Sequence, residues 1–156
     1  MSTVNPIPKG YPRLSPYLYV DGASAAIDFY TDVLGATPRG DRMEMPDGRV
    51  GHAELTLGDA VIMLADENPA MGIKGPTHFG GTPVTLHVYV ENVDAVFARA
   101  LAAGARELRP VADQFYGDRS GMFLDPFGHQ WNVASHIEDV SDEEMRRRAA
   151  EAMRQE

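Results

Sequence analysis

Leu14-Ser15-Pro16-Tyr17-Leu18-Tyr19-Val20 and Val84-Thr85-Leu86-His87-Val88-Tyr89-Val90 are two versions of one segment, seventy residues apart. Each runs into an acidic residue, Asp21 or Glu91, and then into an alanine-rich stretch that stops at Gly35-Ala36 or Gly104-Ala105. Further along, Gly51 matches Gly121 and Gly58 matches Gly128 at the same spacing. A series of matches in one order marks an internal duplication, and the fold follows from what one copy specifies.

Each copy opens with period-two alternation, the pattern of a strand with one face on a core. Leu14, Leu18 and Val20 point one way, as do Val84, Leu86, Val88 and Val90. Ser15, Tyr17 and Tyr19 point the other way, with Thr85, His87 and Tyr89. Helical spacing follows in Ala23, Ile27, Tyr30 and Leu34, then in Val93, Val96, Phe97, Ala100 and Leu101, with a glycine placed to close each helix. Three strand-like pieces complete each copy, at 37–44, 50–57 and 60–65, then at 107–112, 119–124 and 129–135. Pro46-Asp47-Gly48, Gly58-Asp59 and Asp125-Pro126-Phe127-Gly128 supply turns. The expectation is an α+β chain of tandem βαβββ modules.

Outward from the repeats, residues 1–11 form a tail, 12–66 the first module and 84–138 the second. Residues 67–83, rich in glycine and proline, read as a linker, or else as a flap over a pocket. In 139–156, Ser141 and Glu144 make a capping box, and Met145, Ala149 and Met153 an apolar stripe on a final helix. Glu143–Arg147 and Glu144–Arg148 are spaced to pair on it.

Composition narrows the functions. With 156 residues, 44% apolar and 24% charged, the chain is an ordinary globular protein. A net charge of −9 argues against nucleic acid and anionic membranes as partners. The absence of cysteine removes disulfides, thiolate catalysis and cysteine-held metals. Met1–Gly10 lacks an apolar signal-peptide stretch and no run is long enough for a membrane helix, so a cytoplasmic location is expected.

On Tyr116-Gly117-Asp118-Arg119-Ser120-Gly121, Asp125-Pro126-Phe127-Gly128-His129-Gln130-Trp131, and Val20-Asp21-Gly22 through Tyr30, the chain resembles the vicinal oxygen chelate superfamily. That superfamily includes glyoxalase I, extradiol dioxygenases and bleomycin- and fosfomycin-resistance proteins, and the motifs are similar to its PhnB-like branch. The resemblance spans about residues 12–138 and implies paired modules curled into a half-barrel around a cavity, in a homodimer. The superfamily's metal-ligand positions carry over to Ser15, Ile62 (or Met63), Thr85 and Asn132, none of them a histidine or carboxylate. Hydroxyls, amides and thioethers are weak ligands for Zn²⁺, Fe²⁺ or Mn²⁺, so the expectation is no metal and no other cofactor. An atypical divalent site built from His52, Glu54 and His87 stays open.

The candidate ligand-binding residues are Ser15, Tyr17, Tyr19, His52, Glu54, Thr85, His87, Tyr89 and Asn132. Glu54 is either a structurally hydrogen-bonded carboxylate or a general base whose pKa the pocket raises. His87 is a core histidine or a proton-transfer group. The tyrosines either stack on a flat ligand or simply pack. Trp131 falls on the helix-facing side and reads as core, His129 as peripheral, and His136 as a bridge toward the final helix. Arg119 grips an anionic substrate or pairs with a nearby carboxylate. The preferred reading is a protein that binds a small aromatic or polar molecule without metal. The alternative is a lyase, isomerase or dioxygenase-type enzyme using Glu54 and His87. A methyltransferase or DNA-binding role finds no Gly-rich nucleotide loop and no basic helix to support it.

Overall fold

The computed structural model describes residues 4–155, so residues 1–3 of the expected tail and Glu156 lie outside the described residues. The chain divides into two units between Gly81 and Thr82. The first contains β1 (Tyr17–Val20), α1 (Ala23–Leu34), β2 (Thr37–Pro38), β3 (Met43–Glu44), β4 (Val50–Leu57) and β5 (Ala60–Asp66). Its sheet has the order β1-β5-β4-β2, with β3 also on β4; β1 runs parallel to β5 and the other pairs are antiparallel. The second contains β6 (Thr85–Tyr89), α2 (Val93–Ala102), β7 (Arg106–Asp113), β8 (Asp118–Leu124), β9 (Gln130–His136) and α3 (Asp142–Ala152). Its order, β6-β9-β8-β7, repeats the first, again with the opening strand parallel to the last. Both sheets are mixed and open, and the fold is α+β. No helix among the described residues is long and apolar enough to cross a membrane.

In each unit the apolar face of the sheet packs on its helix. Leu18, Val20, Leu55, Ile62 and Leu64 meet Ala26, Ile27, Tyr30 and Val33, all buried. In the second unit Phe123, Trp131 and Val133 meet Val93, Val96, Phe97 and Ala100. A side chain at Gly121 would run into Phe97 and Val111 at 2.9 Å, so glycine there lets α2 close on the sheet. The Asp66 carboxylate receives the N–H groups of Gly22 (2.9 Å) and Ala23 (2.7 Å) at the start of α1, and that of Val50 at 2.8 Å. An anion at a helix N-terminus is favoured by the helix dipole.

Several expectations change. Leu14 (86% exposed) and Val84 (58% exposed) do not point into a core, because both precede the first ladder pair and have no neighbouring strand behind them. The strand expected at 37–44 splits into β2 and β3, where Gly40 turns the chain at φ +66°. Leu101 ends exposed. Ser141 caps α3 by accepting from the Glu144 N–H at 3.2 Å, but Arg147 bonds Glu144 and Glu151 rather than Glu143. Met153 lies beyond the last helical residue and is 77% exposed, so the stripe stops at Ala149. Residues 67–83 carry two short 3-10 helices, Pro69–Met71 and Pro76–Phe79, and a bridge between Asn68 and Ile73.

The ladders also correct the constant spacing. Tyr17, Met63 and Glu54 lie side by side in the first sheet, and His87, Asn132 and Met122 in the second. The offset thus slips from 70 on the opening strands to 68 on β4 and β8, and Gly121 corresponds to Ala53 rather than Gly51. Strand register, not sequence spacing, decides which side chains are equivalent.

Candidate functional site

The polar face of the first sheet carries a chain of hydrogen bonds. Tyr11 donates its hydroxyl to Glu54 Oε1 at 2.7 Å, His52 Nε2 lies 2.8 Å from Glu54 Oε2, and the Tyr17 hydroxyl lies 2.8 Å from His52 Nδ1. Arg39 follows β2 into register with Glu54, its N–H donating to the Glu54 carbonyl at 2.8 Å. Its Nε is 3.5 Å from the Glu54 carboxylate, and its guanidinium sits 4.3 Å from the centre of the Tyr11 ring.

These hydrogen bonds from His52 and Tyr11 hold the Glu54 carboxyl below its ordinary range, outweighing the burial that would raise it. A base raised by its pocket is therefore not what forms here. An ionised carboxylate only accepts, so His52 Nε2 carries the proton and Nδ1 accepts from Tyr17. Burial, with Tyr19 and Glu54 nearby, pushes the Tyr17 hydroxyl up. Tyr17 keeps its proton.

Beside this chain lies a cleft of about 220 Å³ within the first unit. Tyr17 and Tyr19 form one wall, their rings 5.2 Å apart and tilted by 44°. Met43, Met45, Met71 and Ile73 form much of the rest. Gly51 lets the thioethers lie over β4, since a Cβ there would meet Met43 and Met45 at 2.9 Å. The polar groups at its border are engaged by the protein itself. Arg49 bonds Asp47 and the Glu67 carbonyl, and Glu67 receives the Gly75 N–H while facing His78. The segment expected as a linker or flap thus contributes Asn68, Met71 and Ile73 to the wall. The methionines escaped the sequence reading; the signal was three thioethers in otherwise polar or glycine-rich stretches.

In the second unit His87, Asn132, Met122 and Arg109 stand in one row across β6, β9, β8 and β7. Arg109 donates from Nη2 to Ser120 Oγ at 3.0 Å and to Asn132 Oδ1 at 2.9 Å. That fixes the amide: Asn132 Nδ2 donates to His87 Nδ1 at 2.6 Å, leaving Nε2 as the histidine donor. His87 packs edge-on against Tyr89, centroids 4.9 Å apart. Tyr89 donates to Asp118 Oδ2 at 2.8 Å, and His136 Nδ1 faces Oδ1 at 2.8 Å. Asp118 is buried (4% exposed), which pushes its carboxyl up, but the bonds from His136 and Tyr89 win and hold it low.

Of the residues expected to bind ligand, Tyr17, Tyr19, His52 and Glu54 gather in the first unit, and His87, Tyr89 and Asn132 in the second. Ser15 lies ahead of β1, outside the ladder. Thr85 accepts from Gln130 at 2.7 Å, so His87, not Thr85, is the row-mate of Asn132. Arg119 pairs with nearby carboxylates, with Asp94 and Asp113 at 2.8–2.9 Å. Trp131 is core, its indole N–H donating to Asp125 at 2.9 Å, and His129 is half-buried after its turn. His136 also reaches Asp139, ahead of α3.

The model of the Glyoxalase/Bleomycin resistance protein/Dioxygenase superfamily matches residues 13–133. The chain belongs to this superfamily. The uncharacterized protein Rv0887c of Mycobacterium tuberculosis is 46% identical over 137 residues, covering 86% of this chain and 80% of that protein. TioX from Micromonospora sp. ML1 superposes with a TM-score of 0.61 at 28% identity, and PA1353 from Pseudomonas aeruginosa with 0.64 at 26%, each over 81% of this chain and 99% of its own. The PhnB protein of Bacillus cereus, at 21% identity, shares the fold with a TM-score of 0.62 over 80% of this chain and 99% of its own.

Some members of the superfamily use a metal, and the residues here do not suit one. Ile62 is buried on the core face, which leaves Met63 in the row beside Tyr17. Of Ser15, Tyr17, Met63, Thr85, His87 and Asn132, only His87 offers an imidazole and none a carboxylate. Among the described residues no three histidine or carboxylate side chains gather as ligands.

Proposed function

We propose that the protein binds a small aromatic molecule in the first-unit cleft, without a metal. The observation that carries this is the wall itself: two tyrosine rings facing thioethers around about 220 Å³. Aromatic faces stack on flat ligands, and flexible thioethers adapt to their outline. At ~30 Å³ per water the space equals roughly seven waters, which suits a one- or two-ring compound. Methyl-labelled Met43, Met45 and Met71, followed by NMR against a panel of aromatic and aliphatic compounds, test the reading. The aromatic members should shift these methyls saturably, and Tyr19→Ala should weaken them about tenfold. Silence across the panel defeats it.

The Tyr11–Glu54–His52–Tyr17 chain favours a second reading, an enzyme that moves protons through it, with Glu54 as orienting group. Against it, Glu54 is held low and Tyr17 high, so neither is tuned as a base or nucleophile near neutral pH. If a turnover is found, His52→Ala and Glu54→Gln should each abolish it with the fold intact. The reading also takes the protein as a homodimer, since β1 and β6 end their sheets and sheet edges need covering. A monomer mass by light scattering removes the dimer.

A further inference from the structure

Among the described residues, Arg109 is a cation without a counter-ion. No carboxylate pairs with it among the described residues, its two hydrogen bonds go to neutral oxygens, and its buried Nε has no partner. The acceptors are deep: Ser120 is fully buried and Asn132 is 8% exposed. A half-buried guanidinium in such surroundings loses hydration that two neutral bonds do not replace. The first unit shows how the same place is neutralised. Arg39 ends its row against Glu54, and in the second row that position is Met122. The Nη1 group makes no bond among the described residues, and the Asn132 amide leaves His87 with its Nε2–H as a further donor, on an exposed residue.

We propose that Arg109, with Asn132 and His87, binds the anionic oxygens of a small molecule, a carboxylate or a phosphate. The guanidinium supplies charge-assisted bonds, Asn132 and Ser120 hold it in place, and the imidazole adds a neutral donor. The protein's net charge of −9 disfavours anions in general, so binding must come from this local cluster. The inference does not rest on the first-unit cleft.

The test is titration of the full chain with benzoate and, separately, inorganic phosphate at tens of millimolar and constant ionic strength, following the His87 and Asn132 side-chain resonances. At least one anion should bind saturably, and which one binds separates carboxylate from phosphoryl ligands. Arg109→Gln should weaken it about tenfold or more, whereas Arg106→Gln, an exposed cation on the same strand, should leave it unchanged. Met122→Glu keeps every donor but supplies an internal carboxylate; it should abolish binding without unfolding the protein, which guards against an Arg109 variant that fails to fold. Binding by neither anion, equal losses in the Arg106 and Arg109 variants, or undiminished binding by Met122→Glu each overturns the proposal.

Discussion

The two rows, Tyr17–Met63–Glu54–Arg39 and His87–Asn132–Met122–Arg109, occupy the same ladder positions in the two sheets, yet they are chemically opposite. In the first, the outer arginine meets a carboxylate that also takes hydrogen bonds from a tyrosine and a histidine. In the second, the carboxylate is a methionine, and the arginine leans on an amide and a hydroxyl. The two copies share the strands and the arginine, but only the first carries the negative charge. A closed network spends its polar groups on the fold, and an open one keeps them for something else.

Removing the anion from the closed row should have the largest effect. Glu54→Ala leaves three donors facing its site and should cost about 2–3 kcal/mol, read from the urea midpoint. Because the folded carboxyl is held below its ordinary 4.5, this contribution is complete above that pH and is lost as pH falls through the lower folded value. The wild-type and variant stabilities should therefore converge in acid. Divergence on acidification would mean that the carboxylate is not what holds the row together.

The converse exchange is smaller. Met122→Glu places a carboxylate beside Arg109 at a half-buried position and should stabilise the protein by about 1 kcal/mol at neutral pH, because desolvation offsets part of the attraction. A loss of stability would show that Arg109 is already satisfied.

The sequence disclosed the modules, the helix faces and the strands because these rest on periodicity, which local residues dictate. It did not disclose which side chains share a row. The slip from 70 to 68 arises in the turns and bulges, including the two register shifts in β7, and no alternation pattern encodes them. On the opening strands, where the offset stays at 70, it is Tyr17 and His87 rather than Ser15 and Thr85 that share a row with Met63 and Asn132. Arg109 escaped notice because the sequence signal favoured Arg119, embedded in a recognisable motif, while a lone arginine on an edge strand looks like solvated surface. His52 and Glu54 were legible together, two apart on one strand; Tyr11 and Arg39, which complete their network, come from irregular segments whose positions only the folded chain defines.

At the other end of β8 from Met122, the charge of Asp118 is balanced within the protein, by His136. Bonds to Asp118 and Asp139 raise the imidazole above its ordinary 6.5. A folded pKa above the unfolded one means the stabilisation is present below 6.5 and fades as pH rises through the folded value. The titration of His136 by NMR should accordingly have its midpoint above 6.5, and Asp118→Asn should bring it down. Asp118, held low, responds oppositely and loses its part only in strong acid. A His136 midpoint at or below 6.5 would mean that the pair is not formed in solution.

The smallest effect belongs to the arginine the motif points to. Arg119 sits between Asp94 and Asp113, both exposed, and pairs with both. Screening by water makes such pairs weak, so Arg119→Gln should barely move the urea midpoint. It should also leave anion binding unchanged, because its guanidinium already has two counter-ions while Arg109 has none among the described residues. The two substitutions remove the same charge from neighbouring strands, so a general electrostatic effect would weaken binding alike in both. Only a specific site separates them, and the separation depends on the Glu-to-Met difference between the rows.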